Sequence, residues 1–133
     1  MSAFVKAADV REDTFDWGAI GWRCGPGSTG ATRFIVLDVS IVPGQGHDFH
    51  KHPDQDELIV VHSGRLEQYL EVESETLGPG DSVFIEAGVV HGSFAIGDEP
   101  AVLQIVMGPA VGTDTGYELI DMSGEEPYAS LRR

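Results

Sequence analysis

The chain contains no asparagine, a single cysteine at position 24, and only two lysines, Lys6 and Lys51, in 133 residues. One cysteine excludes an intrachain disulfide and any cluster of thiolate metal ligands, so a reducing, cytoplasmic setting is the default expectation. Basic residues are scarce, 8 against 22 acidic ones for a formal charge of -14. Such a chain has little with which to neutralise phosphates, which argues against nucleic acid and against an anionic membrane surface as partners. Long apolar runs are missing too. Nothing approaches the length that spans a bilayer, and the opening MSAFVKAADVREDTFDW lacks the apolar block of a secretory signal. A small neutral or metal-bound molecule suits this composition better.

Helical periodicity is absent until the acidic stretch beyond Tyr117. What is present instead is a series of short, valine- and isoleucine-rich segments closed by glycine or proline. RFIVLDVSIV (33–42) ends at Pro43-Gly44, and ELIVVHS (57–63) ends at Gly64. RLEQYLEVE (65–73) alternates, with Leu66, Gln68, Leu70 and Val72 on one face, as a half-exposed strand requires. SVFIEA (82–87), VVHGSFAI (89–96) and AVLQIVM (101–107) follow. Strands at this spacing predict an all-β sandwich or barrel. With 41% hydrophobic residues and no internal repeat, residues 1–133 read as one domain. Its barrel core spans about residues 33–108, with irregular arms at 1–30 and 110–133 that wrap the barrel or another subunit.

GPGSTG (25–30) matches the glycine pattern of dinucleotide-binding loops. That pattern needs a helix directly after it, to offer its N-terminus to pyrophosphate. The next residues, ATRFIVLDVS, read as a strand. GPGSTG is therefore a turn.

Four of the five histidines crowd into GQGHDFHKHPDQDELIVVHSG, residues 44–64. Residues two apart on a strand share a face, so His50 and His52 project together. Glu57 stands at an odd offset from His52, but Pro53-Asp54 interrupts the strand and lets Glu57 open the next one facing back. His91 begins a later strand and can reach the same cavity in a closed barrel. Three imidazoles and a carboxylate suit divalent Fe, Mn, Ni, Co or Zn, and leave open positions on a five- or six-coordinate ion.

The spacing Gly44-x5-His50-x-His52-x4-Glu57-x6-Gly64 resembles, position for position, the first motif of the cupin superfamily. Gly80-x5-Glu86-x-Gly88-x2-His91 resembles the second, G-x5-P-x-G-x2-H-x3-N. Glu86 replaces the family's proline and Ala95 its asparagine, and neither is a ligand position. The resemblance implies a double-stranded β-helix, a small jelly-roll barrel, with His50, His52, Glu57 and His91 as metal ligands. It also implies a homodimer formed through N-terminal strands, which would employ Trp17 and Trp22. Asp56 is an alternative to Glu57, but only Glu57 keeps the six-residue gap to Gly64.

Other candidates receive blander readings. His62 faces outward by parity with Glu57, and His47 reads as a solvated rim residue. Phe49, Tyr69 and Phe94 belong to core or sheet surface. Gln104 faces either the pocket or solvent, and Glu86 either loosens the approach to His91 or offers it an acceptor. Asp54, Gln55 and Asp56 read as loop residues. The function expected is a metal-dependent enzyme on a small organic substrate, with dioxygenase chemistry on iron or isomerase or epimerase chemistry on Mn, Zn or Ni. A non-catalytic module that binds a sugar or another small molecule is the alternative.

Overall fold

The computed structural model describes residues 1–132 and contains eleven strands in two antiparallel sheets. Strands β1 (Arg11–Phe15), β2 (Gly18–Cys24), β3 (Ile35–Ile41), β5 (Asp56–Ser63), β8 (Ser82–Ile85) and β10 (Ala101–Gly108) form one sheet in the order β1-β2-β3-β10-β5-β8. Strands β4 (Gly46–Lys51), β6 (Arg65–Leu70), β7 (Glu73–Leu77), β9 (His91–Ile96) and β11 (Ile120–Asp121) form the other in the order β11-β4-β9-β6-β7. From β3 to β11 the chain alternates between the two facing sheets except at the β6–β7 hairpin, the arrangement of a double-stranded β-helix. No helix of the described residues is long and apolar enough to cross a membrane.

Period-two burial builds the interior. Ile35, Leu37, Val39 and Ile41 of β3 are buried, as are Ala101, Leu103, Ile105 and Met107 of β10. Paired residues share a face, so the register Ile35↔Met107↔Glu57↔Ile85 runs one inward row across four strands. That row places a carboxylate among aliphatic side chains at the end of the barrel. Gly64 makes the sharp turn from β5 to β6 at φ 75°, and a Cβ there would lie 2.2 Å from the Pro100 carbonyl oxygen. Only glycine tolerates both demands.

Three expectations need correction. The stretch 65–73 is not one strand: β6 stops at Leu70, Glu71 turns the chain at φ 54°, and Val72 is exposed. The N-terminal arm is irregular only in part, because β1 and β2 extend the larger sheet, with β2 paired to β3 from Gly18↔Ile41. Its polar outer residues had hidden the strand pattern. The C-terminal arm is also structured. It adds β11 beside β4 and then a short helix α1 (Tyr128–Leu131). This arm lays Met122, Tyr128 and Leu131 over a second apolar cluster of Phe49, Tyr69, Val90 and Phe94 on the outer face of the smaller sheet. His50 and Phe49 therefore anchor opposite faces of β4, and that divergence fixes the strand's rotation.

Candidate metal centre

His50 lies in β4, and His52 follows just past its end. The chain then reverses at Pro53-Asp54 and passes from the smaller sheet to the larger one, where β5 opens at Asp56. This change of sheet resolves the odd offset: Glu57 faces inward and is 4% exposed, while Asp56 turns out and accepts a hydrogen bond from the Ala87 amide. His91 starts β9 directly opposite His50. The structure thus brings together all four residues singled out by the sequence.

The three histidines are buried, and one ring nitrogen from each lies within 4.8 Å of the others, so they could hold a metal ion. Their tautomers follow from the second nitrogen. The Nδ1 of His50 lies 2.6 Å from the Asp48 carbonyl oxygen, that of His52 2.7 Å from Glu118 and that of His91 3.0 Å from Val89. A carbonyl only accepts, so each Nδ1 carries the proton and each Nε2 of a neutral ring presents a lone pair. The Nε2 atoms of His52 and His91 are buried with no hydrogen-bond partner, as is Glu57 Oε1. Glu57 Oε1 stands 3.0 Å from His91 Nε2 and 3.4 Å from His52 Nε2, but in a neutral ring with Nδ1 protonated that nitrogen has no hydrogen to donate. Buried acceptor atoms gathered this closely with no donor among them are what a cation requires.

Electrostatics sort the rings. Burial, reinforced by the rings of His47, His91 and His52, holds His50 well below its ordinary value, so it stays neutral. Burial also opposes charge on His91, but the adjacent Glu57 carboxylate outweighs it and raises His91. Burial would push Glu57 up, yet the neighbouring His91 and His52 dominate and keep it well below the carboxylate range. Glu57 is therefore an anion in an interior lined by Leu37, Ile59, Leu103 and Ile105.

The cavity beside these groups measures about 20 Å³, room for little more than one small atom group. Its wall also contains His47, Ser93 and Tyr117. His47 lies at the rim as expected but is half-buried there rather than fully solvated. It is paired with Ser93 across β4 and β9, and its ring stacks 4.0 Å from His50 on one side and 4.7 Å from Trp17 on the other. Trp17, in the β1–β2 turn, shields it, and burial lowers its pKa to about 4. Beyond lies an outer groove of about 370 Å³ that includes Trp17, His47, His50 and three aspartates.

Gln55 is the residue most plainly missed. It is 2% exposed, and its Nε2 donates to the carbonyls of Pro109 (2.9 Å) and Gly116 (2.8 Å). Those bonds hold the strap 109–118, which delivers the Glu118 carbonyl to His52 and the ring of Tyr117 to the cavity. Flanked by two aspartates, Gln55 gave no sequence signal beyond an uncharged break in an acidic loop. Tyr117 was detectable as a lone large aromatic among glycine, threonine and aspartate. Other residues fall where expected or aside from the site. His62 and Glu86 are exposed, and Gln104 faces outward onto Asp38 at 2.9 Å. Ala95 is buried core.

The chain belongs to the cupin domain family, which residues 37–107 match, more than half of the sequence. No curated protein matches. Solved structures with the same fold include KdgF from Halomonas sp., with TM-score 0.71, 19% identity, and coverage of 80% of this chain and 94% of that one. A sugar phosphate isomerase of the cupin superfamily from Silicibacter pomeroyi has TM-score 0.69 and 21% identity, covering 79% and 74%. An oxalate decarboxylase from Lactobacillus farciminis, in a formate complex, has TM-score 0.76 and 21% identity over 88% of this chain and 35% of its own. Identities this low establish the fold they share.

Proposed function

We propose that His50, His52, His91 and Glu57 hold one divalent transition-metal ion, Fe, Mn, Co, Ni or Zn, and that the protein is a metal-dependent enzyme acting at an oxygen of a small organic substrate. The observation that carries this is the convergence of buried nitrogen and carboxylate atoms that lack hydrogen-bond partners. When bound, the ion would polarise a substrate oxygen and stabilise negative charge developing there.

The chain's own residues do the rest. The carbonyls of Asp48, Glu118 and Val89 fix the imidazole tautomers, and Glu57 supplies one compensating negative charge. The aliphatic wall excludes bulk water, which strengthens every charge interaction inside. Because the cavity is so small, only the reacting group enters it, and the remainder of the substrate lies in the outer groove against Trp17 and His47. Dioxygenase chemistry suits iron, and isomerisation or epimerisation suits Mn, Zn or Ni. The fold relatives include a sugar phosphate isomerase, which supports the second of these. A homodimer is part of the reading: Val106, Leu58 and Phe84 form one exposed cross-strand row, 38%, 39% and 59% exposed, on the outer face of the larger sheet. Light scattering after size exclusion tests that point.

Elemental analysis of the purified protein tests the centre. His50→Ala and His91→Ala should each lower metal affinity at least about tenfold. Unchanged occupancy in both would refute the ligand assignment. Loaded protein is then assayed over small diketones, phenols and sugar phosphates. Tight binding of one of these without turnover would favour the non-catalytic binding module instead.

A further inference from the structure

The geometry points to Tyr117 as a ligand-contacting residue, whose hydroxyl donates a hydrogen bond to an anionic oxygen, of carboxylate type, on a molecule that occupies the cavity beside the three histidines. This rests on the metal-binding reading above and adds the group that recognises what the ion binds.

Tyr117 lines the cavity together with His50, Glu57 and His91. Its ring meets His52 edge-on at 5.1 Å and Trp22 at 5.5 Å. Those contacts explain an aromatic ring at this position, but phenylalanine would make them equally well. The hydroxyl is left over: no hydrogen bond from Tyr117 Oη to any described residue is formed, not even to Glu57. Tyr117 is half-buried against the core, and a hydroxyl that no protein group holds is free to donate to a ligand.

The presentation of Tyr117 is also over-determined. Gln55 clamps the strap through Pro109 and Gly116, the residue immediately before Tyr117. Ala110 N donates to the Thr32 carbonyl at 3.0 Å and Val111 N to that of Gly116 at 3.0 Å. On the other side, the Glu118 carbonyl is held by His52 Nδ1. The same histidine ring therefore sets Nε2 3.4 Å from Glu57 Oε1 and fixes the backbone next to Tyr117. Strap and candidate ligand are built as one unit, so Tyr117 and His52 are positioned together. An oxygen anion there is the species that both a cation and a hydroxyl donor favour.

Formate, the smallest carboxylate, is the appropriate probe for so small a cavity. Wild-type protein is loaded with Co(II), and formate is titrated while the visible absorption of the ion is followed. Formate should perturb that spectrum and also the near-ultraviolet tyrosine band. Tyr117→Phe should keep its Co(II) and bind formate about tenfold more weakly, the loss expected for one hydrogen bond to a charged group. Trp22→Phe, which disturbs ring packing and leaves the hydroxyl, should bind formate as wild type does. Equal formate affinity in wild type and Tyr117→Phe overturns the inference, as does an equal loss in both variants. Loss of Co(II) from folded Tyr117→Phe overturns it as well, because a donor to the bound anion has no part in holding the ion. If Tyr117→Phe does not fold, an unchanged tyrosine band in wild type on formate binding is decisive against it. Wild-type protein that takes up no Co(II) instead sinks the metal reading itself.

Discussion

Gln55→Glu changes one buried atom group, and its consequences can be worked through in order. The wild-type Nε2 donates to two carbonyl oxygens at 2.9 and 2.8 Å, in a side chain that is 2% exposed. An ionised glutamate has no donor and would set a negative charge against both oxygens. Two lost hydrogen bonds cost about 2 kcal/mol. Avoiding the buried charge requires protonation, and a carboxyl raised by about two units above its unfolded value costs about 3 kcal/mol at neutral pH. A total near 5 kcal/mol is a large share of a domain's stability. The sign with pH follows from linkage. Between the ordinary glutamate pKa of about 4.3 and the raised one about two units higher, the folded variant binds a proton that the unfolded chain has released, so its stability rises as pH falls toward about 5. Protonated glutamate also regains one donor. Guanidinium unfolding of metal-free wild type and variant at pH 7.5 and pH 5.5 measures the difference at each pH. The gap should be several kcal/mol at the higher pH and distinctly smaller at the lower. A variant as stable as wild type at pH 7.5, or a gap indifferent to pH, would refute the clamp.

Three further outcomes follow from other parts of the molecule. Glu57→Gln should weaken metal binding at least about tenfold while Asp56→Asn leaves it unchanged, since Asp56 only accepts from the Ala87 amide; isothermal titration with Co(II) compares them. Phe49→Ala should lose about 3–5 kcal/mol, because Phe49 is 1% exposed at the centre of the outer cluster, and its thermal unfolding should fall by about 10 °C or more. Asp38 is raised by burial but held below its ordinary value overall by Arg23 at 2.6 Å and by the Gln104 amide. A depressed carboxyl stabilises above its unfolded pKa and loses that contribution as pH falls through the folded one. Asp38→Asn should thus cost about 1 kcal/mol at pH 7, with the deficit shrinking in denaturant titrations as pH falls below the ordinary carboxylate range.

The convergence of His50, His52 and Glu57 was readable because it depends on parity and on turns, both of which are local. His50 and His52 share a face at any twist of the strand, and Pro53-Asp54 announces the reversal that returns Glu57. His91 required the fold, since its register opposite His50 belongs to a sheet assembled from distant strands. The motif glycines carried that information indirectly: Gly44, Gly64, Gly80 and Gly88 all adopt positive φ, so their spacing encodes where the strands end. The inward row of β3 and β10 was likewise visible, because both strands are buried on one face along their whole length.

The surroundings of the site were illegible for a different reason. Gln55, Tyr117 and Glu118 act across 54 to 66 residues of sequence separation, through backbone carbonyls that any residue possesses. A carbonyl that orients His52 leaves no trace in residue identity at position 118. The solvation of His47 was misjudged because solvent exposure was inferred from its own turn-like neighbours, whereas its burial comes from Trp17, carried by a hairpin that the sequence pattern had assigned to an irregular arm. Atoms that could hold an ion must come from particular side chains, so their residue types stand out in the sequence. The supports need only a shape and an amide, so their specification is spread over the chain, and it becomes visible only as unpaired atoms in a closed interior.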